Sequence, residues 1–306
     1  MPSDDIDAIV SAVLDELRSQ GRLPSGGAPS ATASPSGATT AGGEVSIDLP
    51  DPTEEQQRRR IGVENPADLE GLRNLCSTTT ARLGVGRAGP RPRTSALLLF
   101  QGDHGVAQDA IYGTVDEAVK EQFDLFTVGT RVADQDEYLL RPDLGRRLSD
   151  EAKATIAERC TKNPQVQIVV AAGLSAAAVN HQVPAILPVL TQGLGSAGIS
   201  VGTPFYLEHA RVGVMNDVGE AVGADAVLLL IGERPGLGVA DALSAYMGWQ
   251  PRPGKTDADR DLICMITDNG GTNPLEAGAY VVEQLQRILR HQASGVALRQ
   301  ATSGEA

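Results

Sequence analysis

The chain of 306 residues is short of most residue types that announce a chemistry. It has three cysteines, Cys76, Cys160 and Cys264, far apart and with no Cys-x-x-Cys spacing. That excludes a zinc ribbon and a disulfide framework, and it suits a reducing cytoplasm. The four histidines, His104, His181, His209 and His291, are equally scattered, so no metal site is expected. Aromatic residues make up 3%, too few for platforms on which bases stack. Basic residues are outnumbered 26 to 39 by acidic ones, a net charge of −13, which argues against nucleic acid as a partner. No apolar run is long enough to span a bilayer, and no secretory leader follows Met1, so no membrane partner is expected. Neither Gly-x-Gly-x-x-Gly nor a P-loop with Gly-Lys-Ser/Thr occurs, which disfavours nucleotide-dependent dehydrogenases and NTPases.

What is present centres on Val227-Leu-Leu-Leu-Ile231, followed by Gly232-Glu-Arg-Pro-Gly-Leu-Gly238. Five consecutive apolar residues between turn residues read as a strand buried on both faces, as a parallel sheet requires. Ligands of such sheets bind in loops at the strands' carboxyl ends. Glu233 is therefore a candidate binding residue; the plainer alternative is a turn bearing a solvated Glu233–Arg234 ion pair.

Around this strand the second half of the chain alternates strand and helix. Strands are expected over 167–171, 199–201, 210–214 and 262–266. Helices are expected over 176–197, interrupted by Pro184 and Pro188, and over 217–222 and 274–290. The order implies a parallel, doubly wound, Rossmann-like sheet. The first half reads as mostly helical, over 54–60, 67–83, 95–103, 115–125 and 150–160, with a short strand over 128–132. Two X-Pro steps in Arg87-Ala-Gly-Pro-Arg-Pro-Arg-Thr94 predict an extended segment that presents three arginines to a partner's carboxylates or a phosphate.

The chain starts with an amphipathic pattern over 4–18, where Ile6, Ile9, Val10, Val13, Leu14 and Leu17 share one helical face. Gly, Ala, Ser, Thr and Pro dominate from Gly21 to about Gly43, a linker composition. A helix so short needs something to cover its apolar stripe. The sequence leaves open an arm docked on its own oligomer or a recognition peptide for another protein's groove.

Several strings together resemble a known family. They are Ile61-Gly-Val-Glu-Asn-Pro66, Arg87 to Thr94, Arg141-Pro-Asp-Leu-Gly-Arg-Arg-Leu148, Val201-Gly-Thr-Pro-Phe205 and Leu230-Ile-Gly-Glu-Arg-Pro-Gly-Leu-Gly238. In this order, between about Ile61 and Leu298, they resemble the small (light) subunit of ethanolamine ammonia-lyase. That enzyme converts ethanolamine to acetaldehyde and ammonia with adenosylcobalamin. The resemblance implies a lyase active only with its large subunit, a barrel that holds the substrate, while the small subunit closes the nucleotide-tail side of the cobalamin. It implies no catalytic residue on this chain and cofactor contacts at Val212, Glu233 and Cys264. Cys264 stands about two residues later after Asp259-Arg260 than the pattern has it, with Leu262 in the nearer place. Ala172 replaces the Asp that usually precedes Gly173-Leu-Ser175.

The expected organisation is a targeting helix over 1–20 and a flexible linker over 21–51. A mostly helical domain over 52–160 contacts the large subunit, an α/β domain over 161–300 contacts the cobalamin, and 301–306 is a tail. The N-terminal helix is similar to extensions that bring family members into a bacterial microcompartment through its shell. The competing classes are a shell or adaptor protein and a stand-alone α/β enzyme acting on a nucleotide-like ligand.

Overall fold

The computed structural model describes residues 60–303. The helix expected over 4–18, the linker, and all but the last residue of the helix expected over 54–60 lie outside the described residues. The first described elements are helix α1 (Leu69–Ser77), a small hairpin of β1 (Arg87–Ala88) and β2 (Arg91–Pro92), and helix α2 (Thr94–Tyr112). Next come α3 (Glu117–Gln122), β3 (Phe126–Gly129), α4 (Gln135–Leu140) and α5 (Asp150–Arg159). The remainder is β4 (Val166–Ala171), α6 (Ala176–Ser196), β5 (Phe205–Glu208), α7 (Met215–Val222), β6 (Ala226–Gly232), β7 (Leu243–Trp249), β8 (Arg260–Ile266), α8 (Pro274–His291) and α9 (Gly295–Thr302).

The fold is α/β. Every residue of β4 and β6 is buried, and the two run parallel with Ile168 opposite Leu228 and Ala171 opposite Ile231. Strands β5 and β3 extend the parallel array on the far side of β4. The full order is β3-β5-β4-β6-β7-β8, so the sheet takes an edge strand from residues 126–129, ahead of the 160/161 division.

The sheet is mixed, not parallel throughout as the sequence pattern implied. Strand β7 is antiparallel to β6, and β8 is antiparallel to β7. The reason is chain length. Only residues 233–242 join β6 to β7, fewer than the dozen or more that a crossover to a parallel neighbour needs.

Alternate residues of the buried strands feed two cores. Ile168, Val170, Leu228 and Leu230 pack under α3, α6, α8 and α9. Val169, Ala171, Leu229 and Ile231 pack under α5 and α7. Helices thus cover both faces of the sheet. Helix α6 is not interrupted at its prolines: Pro184 and Pro188 both sit inside it. Each removes one intrahelical N–H bond, and the buried stripe of Val183, Ile186, Leu187 and Leu190 holds the helix to the sheet regardless.

Other boundaries also differ from expectation. Helix α1 ends at Ser77, where the Thr78 hydroxyl donates to the Leu75 carbonyl at 2.9 Å. Residues 87–92 form a hairpin, not an extended run, because Gly89 takes φ +61° at the first turn position, where a two-residue turn favours glycine. Residues 199–201 contribute one isolated bridge, Val166 to Val201, and residues 212–214 form a 3-10 turn rather than a strand. On α1 and α2, Leu69, Leu75, Leu97, Leu98 and Phe100 are exposed. Among the described residues no helix is long and apolar enough to cross a membrane.

Candidate functional site

Parallel strands release their following loops at one end of the sheet. From β4 the chain goes on to β5 on one side, and from β5 it returns to β6 on the other. The strand order reverses there, which opens a crevice outside the carboxyl ends. The loops after β4, β5 and β6 surround a cleft of about 370 Å³. Val212, Glu233 and Cys264, separated widely in sequence, all line it.

Glu233 leaves the end of β6 pointing inward. Its Oε1 accepts hydrogen bonds from the Ser244 hydroxyl and from the Met265 N–H, the latter at 2.9 Å. Its other oxygen has no partner among the described residues, and no ion pair joins Glu233 to Arg234, which is exposed. The turn with a solvated ion pair is therefore not what forms. Tyr246 stands beside it in the cleft; burial first, and then the Glu233 charge, hold its phenol above the ordinary range.

Cys264 reaches the cleft through a bulge. Between the pairs Leu243–Ile266 and Ala245–Ile263 the register shifts, leaving Cys264 and Met265 as the irregular residues of β8. Met265 takes φ +55°, and the bulge turns its N–H toward Glu233. Cys264 is exposed and lines the cleft, whereas Leu262, opposite Tyr246 in the ladder, does not.

Val212 opens the 3-10 turn that leads into α7, and it packs partly on the core below. The approach to it is stiff. The Arg211 N–H donates to the Gly145 carbonyl at 2.7 Å, and its guanidinium lies 4.1 Å from the Tyr138 ring centroid. The Tyr138 hydroxyl donates to the Ala210 carbonyl at 2.9 Å. Burial pushes its pKa up to about 12, with the Arg211 charge acting the other way.

The floor between β4 and β6 depends on two glycines. A Cβ on Gly232 would stand 2.2 Å from the Ser175 carbonyl oxygen, and one on Gly173, at φ +56°, would stand 2.3 Å from that of Gly232. Ser175 caps α6 by accepting from the Ala178 N–H at 3.1 Å and donates to the Ala240 carbonyl at 2.6 Å. Asp241 then pins the end of the β6–β7 loop. It accepts from Thr267 and Asn269, both at 3.1 Å, and from Gln182 at 3.3 Å, and its Oδ2 lies 3.2 Å from His181 Nδ1.

Pattern reading missed Ser244, Tyr246 and the Met265 N–H, because β7, with Ser244, Ala245 and Gly248 among its residues, shows no apolar run. It also missed Tyr138 and Arg211, whose roles arise from packing across distant segments. Among the described residues no three His, Cys, Asp or Glu side chains gather as a metal site would need.

The family of ethanolamine ammonia-lyase light chains (EutC) matches residues 69–299. The chain belongs to that family. Among the relatives of this light chain, the ethanolamine ammonia-lyase small subunit of Clostridium perfringens is 44% identical over 251 residues, covering 82% of this chain and 85% of that one. The small subunits of Listeria monocytogenes and Listeria innocua are each 43% identical with the same coverage. The light-chain match includes every residue lining the cleft and begins after residues 1–68.

Proposed function

We propose that this chain is the small subunit of an adenosylcobalamin-dependent ethanolamine ammonia-lyase and closes the cofactor site against a large subunit. The observation that carries this reading is the convergence of Val212, Glu233 and Cys264 on one cleft at the switch point of the sheet. Cobalamin suits these walls. Its corrin periphery carries amides, and the free oxygen of Glu233 accepts hydrogen bonds from amide or ribose donors. Backbone groups at 210–212 and the glycines at 173 and 232 allow close approach. A cleft of about 370 Å³ encloses only part of so large a ligand, which leaves the rest to a second chain.

When bound, the cofactor supplies cobalt–carbon homolysis and hydrogen abstraction from substrate. This chain's residues bind and orient: Glu233, fixed by Ser244 and Met265, presents one carboxylate oxygen, while Val212 and Cys264 form the flanking walls. The apolar residues exposed on α1 and α2, with the arginines of the β1–β2 hairpin, form the surface for the large subunit. Residues 1–20 take the assembled enzyme to a microcompartment shell.

Reconstitution tests the reading. The purified chain alone should release no ammonia from ethanolamine and bind adenosylcobalamin weakly; addition of the large subunit should restore both. Turnover by the isolated chain would overturn the proposal in favour of a stand-alone enzyme.

A further inference from the structure

The charge of the cleft opposes that of the chain. The chain carries −13 overall, yet it lines the cleft with two arginines, Arg211 and Arg234, against one carboxylate, Glu233. A cleft walled by one sign of charge gathers groups of the other, here an anion.

Arg234 is exposed, and an exposed arginine means little by itself. Arg211 is different. Its guanidinium lies 4.1 Å from the ring centroid of buried Tyr138, and its Nη2 donates to the Tyr138 carbonyl at 3.0 Å. Its Nε is enclosed without an acceptor. Gly145 makes the room, since a Cβ there would stand 2.9 Å from Arg211 Cγ. No carboxylate among the described residues forms an ion pair with Arg211. Glu233, on the same cleft, spends one oxygen on Ser244 and Met265 and reaches neither arginine. Fixing a half-buried guanidinium costs side-chain freedom and hydration, which a carboxylate ordinarily offsets. Here none does, and the remaining N–H groups are left for a ligand.

The Tyr138 ring holds the guanidinium plane still, which suits a group with two acceptor oxygens, a phosphate or a carboxylate. The inference rests on the cleft being a cobalamin site, and that decides between them. Cobalamin's side arms end in neutral amides, whereas its nucleotide tail carries a phosphodiester. We propose that Arg211 is the anion-binding residue of the cleft, its guanidinium donating to the phosphodiester that joins the cofactor's nucleotide tail to the corrin.

The test uses the full chain assembled with its large subunit. It compares adenosylcobalamin with adenosylcobinamide, which keeps the corrin and its amides but lacks the phosphodiester and the nucleotide. Arg211→Met keeps an unbranched side chain against Tyr138. It should raise the dissociation constant of adenosylcobalamin about 10- to 100-fold, as loss of a hydrogen bond to a charged group does, and leave that of adenosylcobinamide unchanged. Arg211→Lys, with the charge but not the fork, should bind adenosylcobalamin more tightly than Arg211→Met. The phosphorus NMR resonance of bound adenosylcobalamin should move toward its free position in Arg211→Met. Equal weakening of both ligands, a lysine variant no better than the methionine one, unchanged cobalamin affinity or an unmoved phosphorus resonance would each overturn the assignment and leave the cleft reading standing. If the parent complex bound neither ligand, the cleft reading would fall and this inference with it.

Discussion

Met265 donates its backbone N–H to Glu233 at 2.9 Å from a left-handed conformation, with φ +55°. The aim of the carboxylate and the bulge in β8 are therefore one feature. A β-branched residue resists that conformation more than methionine does, and glycine adopts it freely. Met265→Val should lower unfolding stability by about 1–2 kcal/mol and weaken cobalamin binding in the assembled enzyme, while Met265→Gly should bind cofactor as the parent does. Urea denaturation and cofactor titration of the two variants check this.

Removing the carboxylate itself should act on binding more than on folding. Glu233→Ala should cost about 1–3 kcal/mol in cofactor affinity, because a ligand donor loses its acceptor. Cofactor affinity equal to the parent's would make Glu233 a bystander.

Gly232→Ala should do the reverse. The added Cβ meets two backbone oxygens, those of Ser175 and Ala172, at 2.2 and 2.3 Å, and neither belongs to a flexible side chain. The expected loss of stability is about 1–3 kcal/mol, seen as a lower melting temperature before any effect on binding is considered.

The buried tyrosines predict an alkaline limit. In the unfolded chain a phenol gives up its proton near pH 10, whereas folded Tyr138 holds it until about 12. Between these values the unfolded state binds fewer protons, so this contribution is complete below pH 10 and drains away as the pH rises toward 12. Tyr138→Phe should flatten that decline while costing about 1 kcal/mol at neutral pH for the lost bond to Ala210. Denaturation midpoints between pH 8 and pH 11.5 would reveal it.

Residues 1–20 should be separable from catalysis. Partial burial of four of the six apolar residues Ile6, Ile9, Val10, Val13, Leu14 and Leu17 against a partner, at roughly 1.5–3 kcal/mol per fully buried side chain, would suit a weak and repeated tether. Deleting them should leave turnover and cofactor binding intact and abolish co-localisation with shell proteins. An oligomer that dissociated on truncation would assign the segment to the enzyme itself.

The two parallel strands at the centre were legible because each is a bounded apolar run, and so was α8, with Asn273 capping and Pro274 at its first position. Glu233 stood out because a carboxylate follows that run of β6 after the single residue Gly232. Strand β5 escaped notice since its Phe205–Glu208 is only four residues long after Thr203-Pro204, and β7 because Ser244, Ala245 and Gly248 break any apolar run. The continuity of α6 across Pro184 and Pro188 is a tertiary effect; local propensity argues against it, and burial against the sheet overrides it. Cys264 could be placed only with a bulge in view, and a bulge is a relation between two strands.

The mixed sheet also sets an order of assembly. Strands β6, β7 and β8 meet through neighbours in the chain, so their pairing closes short loops, whereas β3, β5 and β4 join β6 only across long separations. Local pairings close early and distant parallel ones late. The wall bearing Glu233, Ser244, Tyr246 and Cys264 is thus expected to form ahead of the wall bearing Gly173 and Val212, an order that pulsed hydrogen exchange during refolding would reveal. Slowing the parallel register would produce a chain with one finished wall and no cleft.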